Sequence, residues 1–385
     1  MRLSPDPAAR RRFFALCAVA AAAALAGVLV GSSGGGGGDG AGSRPAGPAT
    51  GRQPRAPSPV DRLSLEQQVG QTLVMSFDGT VAPEYIRRRL RNGEGAGVIL
   101  FGKNVPDAGT LRALTRSLQR SARGGALIAT DQEGGTIRSV AFAPPQASQA
   151  TLGSAAAARE SAAAAARALR DGGINVNLAP VADVAVPGSV LAGRSYPGDA
   201  AAVARLVDAA VRAHTRERVA ATVKHFPGLG RARENTDDAP VAIDAGRADL
   251  ARSDLPPFRA ASRAGVPLVM TSHALYPAYD GSRIASQSGV LMERVLRREL
   301  GFRGAVVTDS IEADAVIARS NVAVAAQRAL ETGADLVLMT GSGSWNEVYP
   351  RLLRRARASP RFRERVREAA ARVLALKERL GLQAP

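Results

Sequence analysis

Short runs of apolar and β-branched residues recur along the chain from residue 71 onward. Ala/Arg/Leu-rich segments with apolar residues at helical spacing separate them, as at 108–122 and 154–173. Continuous apolar runs indicate strands that are buried on both faces, so the alternation predicts a parallel sheet covered by helices. The runs are QTLVMSF (71–77), GVILF (97–101), ALIAT (126–130), INVNLA (174–179), VAATVK (219–224), VPLVMTS (266–272), AVVT (305–308) and DLVLMT (335–340).

The number of these repeats decides between two architectures. Eight β/α units in about 320 residues predict an α/β fold, a single (β/α)8 TIM-type barrel. A doubly wound open sheet is the alternative, but no G-x-G-x-x-G follows the first run and the chain has no P-loop, which disfavours a nucleotide-binding fold. We place the barrel domain at residues 61–382, from the helical pattern of LSLEQQVGQ to a closing helix within 359–382.

Two segments of different character precede the barrel. Residues 1–31 are predicted to be a signal peptide or an N-terminal membrane anchor, because Arg10–Arg12 precede an uncharged apolar stretch over 13–31. The sequence ARRRFFAL also resembles a twin-arginine export signal. Residues 32–60 are almost all Gly, Ser, Pro and Ala and predict a disordered linker. We therefore expect an exported bacterial protein that is either extracellular or tethered to the outer face of the cytoplasmic membrane.

The overall charge and composition limit the classes of binding partner that we expect. The chain has 51 Lys and Arg against 34 Asp and Glu, a formal charge of +17, but aromatic residues are only 4%. A basic surface favours anionic surroundings, yet no zinc pattern, RNA-binding signature or basic stripe with interleaved aromatics is present. The single cysteine, Cys17, excludes an intrachain disulfide. We expect no nucleic-acid partner, no cofactor, and a monomer.

Ionisable residues gather where the apolar runs end. The chain has three histidines, and two of them, with the rare lysine Lys224, fall at these positions. Helix capping explains some aspartates and serines there, but not these residues. Because barrel active sites are built at the carboxyl ends of the strands, we predict an active site at this face. The residues in question are Asp78, Asp131, Asp183, Lys224, His225, His273 and Asp309.

The residue types favour carbohydrate chemistry. There is no serine with a nearby histidine in a G-x-S-x-G turn and no H-E-x-x-H, and the cations Arg194, Lys224 and His225 on the same rim would oppose a metal ion. A ring of hydrogen-bond donors and acceptors suits a neutral polyhydroxylated ligand, with Asp131 accepting from sugar hydroxyls and the three cations donating. Glycoside hydrolysis needs a carboxylate nucleophile and a proton donor. Asp309, at the end of a fully apolar run, is the predicted nucleophile.

The motifs resemble those of family-3 glycoside hydrolases of the bacterial β-N-acetylhexosaminidase branch, over residues 61–382. The resemblance implies a single barrel and an exo-acting, retaining hydrolase that removes β-linked N-acetylglucosamine through a covalent intermediate. Wall glycans, muropeptides and chitin fragments all remain open as substrates, and phosphate remains open as an acceptor in place of water. The motifs are LSLEQQVGQTLVMSFDG, GAGVILFGKNV, ATDQEGGTIR, GINVNLAPVADV, GRSYPGD, KHFPGLG, VVTDS and GADLVLM.

The same resemblance assigns roles by motif. Asp309 in VTDS corresponds to the nucleophile that forms the glycosyl-enzyme. The sugar-binding positions of the family fall on Asp131 in DQEGG, Arg194 in GRSY, and Lys224 with His225 in KHFPG.

One departure from the family pattern concerns the proton donor. The branch usually reads KHFPGHG and continues to an Asp-Ser-His on the same mobile loop, whose Asp-His dyad supplies the proton. Here Leu229 replaces the first of these histidines, and Asn235-Thr236-Asp237 stands in place of Asp-Ser-His. In one interpretation Asp237 or Asp238 takes over as acid/base, desolvated by loop closure, which predicts an acidic optimum. In the other, hydrolysis is weak or lost and the barrel binds sugars; we favour the first.

Overall fold

The computed structural model describes residues 58–385. The predicted signal or anchor segment, and the predicted linker up to residue 57, lie outside the described residues. Pro59–Arg62 form a 3-10 turn in which Val60 is buried against Ala370 and Leu374 of the C-terminal helix. Packing therefore already includes the last residues of the predicted linker.

Eight parallel strands close into a barrel in which each strand pairs with its neighbours in chain order and the eighth with the first. Closure leaves no open sheet edge, so the predicted (β/α)8 fold is confirmed and the open sheet is excluded. The strands are β1 (Leu73–Met75), β2 (Gly97–Ile99), β3 (Leu127–Thr130), β4 (Val176–Asn177), β5 (Ala220–Phe226), β6 (Leu268–Thr271), β7 (Ala305–Ser310) and β8 (Leu336–Leu338).

Helices surround the barrel, and side-chain caps set the start of several of them. Asp107 accepts hydrogen bonds from the backbone N–H groups of Gly109 and Thr110, and Asp199 accepts one from Ala202, which satisfies donors that a helix start leaves free. The main helices are Leu65–Gly70, Glu84–Asn92, Ala108–Ser121, Ala155–Asp171, Ala200–Arg216, Leu255–Arg263, Val290–Glu299 (a wide π-type helix), Val322–Thr332, Trp345–Ala358 and Pro360–Arg379, with short helical turns at Arg247–Asp249, Leu250–Asp254 and Asp314–Ile317.

Apolar side chains fill the barrel interior, so the inside of the barrel is core and not a channel. This packing seals the barrel from the amino ends of the strands up to the level where the polar residues begin. The interior residues include Val74, Ile99, Leu127, Val176, Leu268, Met270, Val307, Leu336 and Leu338.

Two strands extend further than the apolar pattern predicts. β5 runs through His225 to Phe226, and β7 runs through Asp309 to Ser310. The prediction that these ionisable residues follow their strands is therefore wrong for His225 and Asp309. Polar residues end an apolar run in the sequence, but at the carboxyl end of a barrel strand an inward side chain faces the pocket, so the strand continues.

Two short β-hairpins lie at the face of the barrel formed by the carboxyl ends of the strands. Gln132–Gly134 pair with Ile137–Arg138, and Leu275–Tyr276 pair with Asp280–Ile284. The first hairpin follows β3 directly and therefore brings the DQEGG motif to the barrel mouth. Across residues 58–385, the helices are all too short or too polar to cross a bilayer.

Candidate active site

A cavity of about 560 Å³ opens at the carboxyl ends of the strands. All six predicted site residues line this one cavity, which also has apolar walls from Ile137, Leu191 and Leu229. The six are Asp131, Arg194, Lys224, His225, Asp237 and Asp309.

Lys224 is the buried cation at the centre of the site. Its side chain is only 3% exposed, and Nζ lies 2.6 Å from Asp131 Oδ1 and 2.8 Å from Glu133 Oε1. Burial lowers the pKa of Lys224, but the two carboxylates outweigh burial and raise it above its ordinary value. Lys224 is therefore a permanent cation that holds Asp131 in place.

Glu133 binds both Lys224 and Arg194, although nothing in its motif singles it out from its neighbours. Arg194 binds it with two hydrogen bonds, Nε to Oε2 at 3.0 Å and a terminal guanidinium nitrogen to Oε1 at 2.7 Å. Burial raises the pKa of Glu133, but Lys224 and Arg194 dominate and lower it to about 2. The planar, bidentate pair fixes the Arg194 guanidinium at the pocket wall.

His225 is oriented by a second buried carboxylate, Asp183. Nδ1 of His225 donates to Asp183 Oδ2 at 2.7 Å, and the backbone N–H of Leu229 donates to Asp183 Oδ1 at 2.6 Å. Because Nδ1 is occupied, the other ring nitrogen, Nε2, faces the cavity and lies 3.9 Å from Asp309 Oδ2. Asp183 belongs to the motif GINVNLAPVADV, but the sequence alone does not show that Asp183 orients the His225 ring.

Asp309 lies on β7 with its carboxylate directed into the cavity. The backbone N–H of Ser310 donates to Oδ1 at 2.8 Å. Burial raises the pKa of Asp309, but His225, His273 and Lys224 together lower it below its ordinary value. The group is thus ionised and fixed, as a nucleophile requires.

His273 supports this strand from behind and does not line the cavity. Nε2 donates to the carbonyl oxygen of Ser310 at 2.8 Å, and Nδ1 lies 2.7 Å from the hydroxyl of Ser286. Burial is the largest influence on His273 and lowers its pKa. His273 fixes the end of β7 next to Asp309.

Asp237 reaches the cavity from the long loop that follows β5. Its Oδ2 accepts from Asn235 Nδ2 at 3.2 Å, and its backbone N–H donates to Asn235 Oδ1 at 3.2 Å. Although Asp237 is exposed, the protein around it at the cavity mouth, and then the charge of Asp309, raise its pKa. Asp238, the other predicted candidate, does not line the cavity.

Backbone contacts fix this loop at both ends. The carbonyl oxygens of Asp237 and Thr236 accept hydrogen bonds from Asp314 N (3.0 Å) and Ala315 N (3.2 Å), just beyond β7. At the other end, a Cβ on Gly230 would lie 2.1 Å from the carbonyl oxygen of Val184, so only glycine allows this approach. The loop is therefore held over the cavity.

Metal binding has no evident place in the described part of the chain. Among residues 58–385, no group of three or more His, Cys, Asp and Glu side chains has a geometry that could hold a metal ion. In the cavity, the carboxylates Asp131 and Glu133 are already paired with Lys224 and Arg194.

Comparisons with known proteins agree with this arrangement. Residues 64–376 match the family model described as the glycosyl hydrolase family 3 N terminal domain. A β-hexosaminidase of Xanthomonas oryzae pv. oryzae is 33% identical over 281 residues, 69% of this chain and 83% of that protein. An uncharacterized secreted glycosyl hydrolase of Arthroderma benhamiae is 32% identical over 84% of this chain and 96% of its own length.

A solved structure extends the comparison to three dimensions. The family 3 β-N-acetylglucosaminidase of Paenibacillus sp. is 36% identical with a TM-score of 0.79, over 84% of this chain. The present chain spans 64% of that enzyme's length. Together the relatives confirm the family and the branch that the motifs predicted.

Proposed function

The chain belongs to glycosyl hydrolase family 3, and we propose that it is an exo-acting, retaining β-N-acetylhexosaminidase that removes β-linked N-acetylglucosamine. One observation carries the proposal: Asp309 and Asp237 line the same cavity, and their pKa values are shifted in opposite directions. Two carboxyl groups whose environments separate their pKa values are the pair that acid-assisted glycoside cleavage needs.

In the first step, an Asp309 oxygen forms a bond to the anomeric carbon while the bond from that carbon to the leaving oxygen breaks. Asp237 gives its proton to the leaving oxygen, which departs as an alcohol. The product is a glycosyl ester on Asp309 with inverted configuration. A fixed Asp309 with a lowered pKa and an Asp237 with a raised pKa match these two tasks.

In the second step, Asp237, now a carboxylate, removes a proton from a water molecule. The water oxygen attacks the anomeric carbon and displaces Asp309, which inverts the configuration again and leaves the sugar with net retention. The regenerated Asp237 proton completes the cycle. Phosphate in place of water would give a glycosyl phosphate, so analysis of the products also identifies the acceptor.

The remaining residues bind the terminal sugar in this proposal. Asp131 accepts hydrogen bonds from sugar hydroxyls, and Arg194, Lys224 and His225 donate them. The apolar barrel interior closes the cavity from below, and a cavity closed at one end fits a chain terminus better than an internal sugar. This geometry supports exo cleavage.

We also propose that the protein works outside the cytoplasm. The arginines and the apolar stretch of residues 1–31 support export, and a relative from Arthroderma benhamiae is named a secreted glycosyl hydrolase. Export makes both wall glycan and chitin fragments accessible substrates. Membrane tethering through residues 13–31 and a monomeric state remain predictions from the sequence.

Kinetics of three variants test the catalytic roles. We expect wild type to release the chromophore from an aryl N-acetyl-β-glucosaminide, and Asp309→Ala to lose at least about 10³-fold in kcat/KM. Asp237→Ala should be slow on a natural disaccharide, by about 10²- to 10⁴-fold, and azide should restore turnover of the aryl substrate with a glycosyl azide as product. Product analysis should give the β-anomer first. Equal rates of Asp237→Ala and wild type on the disaccharide would remove Asp237 as the donor.

A second candidate function is a sugar-binding barrel that has lost hydrolysis. It is favoured by the absence of histidine from the described loop over 227–246 and by the apolar Leu229 in its place. This candidate predicts that N-acetylglucosamine binds in calorimetry while wild type and Asp309→Ala show the same negligible rate. Measurable hydrolysis that depends on Asp309 would exclude it.

A further inference from the structure

We propose that the cavity selects the aglycone by charge, favouring a reducing-side sugar that carries an ammonium group, such as a 2-amino sugar, over one that carries a carboxylate. The inference rests on the proposed function and deepens it, because it concerns the leaving group that the proposed catalytic pair releases. It separates de-N-acetylated glycans from lactyl-bearing glycans as substrates.

The net charge of the cavity is the first support. Four carboxylates line it, Asp131, Asp237, Asp309 and Glu312, and Glu133 and Asp78 pair with its cations. Only three Lys or Arg side chains line it, which are Lys103, Arg194 and Lys224. With these groups ionised, the cavity carries three negative charges in excess, and two when Asp237 is protonated. The chain as a whole has a charge of +17, so the charge of the cavity is opposite in sign to the net charge of the chain.

The three cations of the cavity are all paired with carboxylates. Lys224 bonds to Asp131 and Glu133, and Arg194 forms its bidentate pair with Glu133. Lys103, at the rim, is held by Asp78, whose other oxygen accepts a hydrogen bond from Ser342 at 2.6 Å. Within residues 58–385, no unpaired lysine or arginine therefore lines the cavity to receive an aglycone carboxylate.

The position of the proton donor shows which acids face the aglycone. A general acid must contact the leaving oxygen, so the loop around Asp237 lies on the aglycone side of the scissile bond. Its exposed neighbours Asp238 and Asp314 add two carboxylates there. Two arginines lie on the same segments, Arg233 against Gly188 and the exposed Arg319. Like Asp238 and Asp314, neither lines the cavity, so the excess of negative charge comes from the groups in and against the cavity itself.

Glu312 supplies a carboxylate with spare hydrogen-bonding capacity. Its Oε2 accepts from the backbone N–H of Thr340 at 2.9 Å and from the Thr340 hydroxyl at 3.2 Å. Its Oε1 has no hydrogen-bond partner, although the atom is shielded from solvent. No Lys or Arg forms a salt bridge with Glu312, so its charge acts on a ligand in the cavity. An ammonium group on the ligand would supply the missing hydrogen-bond donor.

Screening limits the size of the effect. Exposed charges a few ångströms apart in water interact by about 1 kcal/mol, which corresponds to about five-fold in an equilibrium constant. With two or three excess charges at the mouth, we expect about 10- to 50-fold between ammonium and carboxylate aglycones at low salt. Salt shortens the Debye length to about 3 Å at 1 M, so the ratio should fall toward unity there.

Matched disaccharides test the inference in the full chain. The probes are N-acetylglucosamine β-1,4-linked to glucosamine, to N-acetylglucosamine and to N-acetylmuramic acid. We measure kcat/KM with wild type, and Kd by calorimetry with Asp309→Asn, at low and high salt. The expected order in both readouts is ammonium, neutral, carboxylate, with the differences reduced by salt. A carboxylate disaccharide that is bound and cleaved as well as the glucosamine one would overturn the inference.

Charge variants locate the effect. The double variant Asp238→Asn/Asp314→Asn should reduce the ammonium-to-carboxylate ratio by about 3-fold or more at low salt. The control Asp171→Asn, just before β4 at the opposite end of the barrel, should leave both the ratio and the activity unchanged. If the disaccharides bind in the expected order but none is cleaved, the proposed hydrolysis fails and the charge selection stands. If all three disaccharides are cleaved at rates that do not follow this order, the charge selection fails and the proposed hydrolysis stands.

Discussion

At the scale of single residues, the site depends on two buried carboxylates, Glu133 and Asp183, that hold its cations and its histidine in place. Lys224 and His225 could be predicted because the chain has few lysines and histidines and these two end an apolar run. Glu133 could not, because its importance depends on the hairpin Gln132–Gly134, which turns its side chain toward cations from two other loops. Asp183 was visible at the end of a run, but only coordinates reveal that it orients His225.

The pKa shifts of the two proposed catalytic carboxyls, Asp309 and Asp237, predict an acidic pH optimum. Asp309 acts ionised, and its pKa is lowered, so kcat/KM should fall on the acid side only below about 3.8, the ordinary value. Asp237 acts protonated, and its pKa is raised, so kcat/KM should fall as pH rises through that raised value. The measurement is a pH profile of kcat/KM on a disaccharide.

The variant Asp237→Asn identifies the alkaline limb of this profile. On an aryl substrate whose leaving group needs no protonation, the variant should retain activity and lose the fall toward high pH. The conservative variant Asp238→Asn should keep that limb, since Asp238 does not line the cavity. If Asp237→Asn keeps the fall in activity toward high pH, a group other than Asp237 causes that fall.

At the scale of elements, the barrel strands and the loop after β5 hold the two proposed catalytic residues differently. Asp309 is part of the hydrogen-bonded sheet, with β7 paired to β6 over Ala305–Thr308. Asp237 depends on a few backbone hydrogen bonds from Asp314 and Ala315. Strands were predictable from their apolar pattern, whereas the path of a 20-residue loop follows from such contacts, which leave no periodic signal.

Asp314→Pro should weaken this attachment without removing a cavity side chain. Proline deletes the N–H that donates to the Asp237 carbonyl, and it fits the first turn of the helix Asp314–Ile317. The preceding Ala313 already has φ −55° and ψ 141°, which proline tolerates. We expect kcat to fall about 10-fold because the proton donor is less well positioned. Asp314→Ala, which keeps the N–H, is the control, and equal kcat for both variants would contradict the prediction.

At the scale of the whole molecule, eight apolar runs were sufficient to predict the closed barrel, because each run must be buried on both faces. The ends of β5 and β7 were missed because inward polar residues interrupt the apolar pattern without ending the strand. The amino end of the barrel also holds a residue that composition alone does not explain. Lys377 of the C-terminal helix is fully buried and donates to Gln71 Oε1 at 2.6 Å.

Lys377 should make the stability of the barrel depend on pH. Burial lowers its pKa from 10.5 to about 7, so between these values the unfolded chain binds a proton that the folded chain does not. The free energy of unfolding therefore rises with pH in this window, by at most about 1.4 kcal/mol per unit. Thermal unfolding of the full chain from pH 7 to 9 should show Tm rising by about 2 °C per unit from this source.

Two variants separate this contribution from other titrating groups. Lys377→Met should flatten the rise of Tm with pH, because the buried site no longer titrates. Lys103→Met removes an exposed lysine and should leave the slope as in wild type. The same slope in all three proteins would mean that Lys377 is charged in the folded state throughout.

The two proposed catalytic carboxyls lie on different kinds of element, Asp309 on a strand and Asp237 on a loop. This difference affects how such enzymes can diverge. Inserting or deleting one residue in β7 would turn its inward side chains outward, so the position of Asp309 cannot drift between descendants. The stretch between Gly230 and Asp238 has no such register, and its sequence can be rewritten while the sheet stays intact. A lineage could thus exchange the proposed proton donor on this loop and keep the proposed nucleophile, Asp309, at the same place.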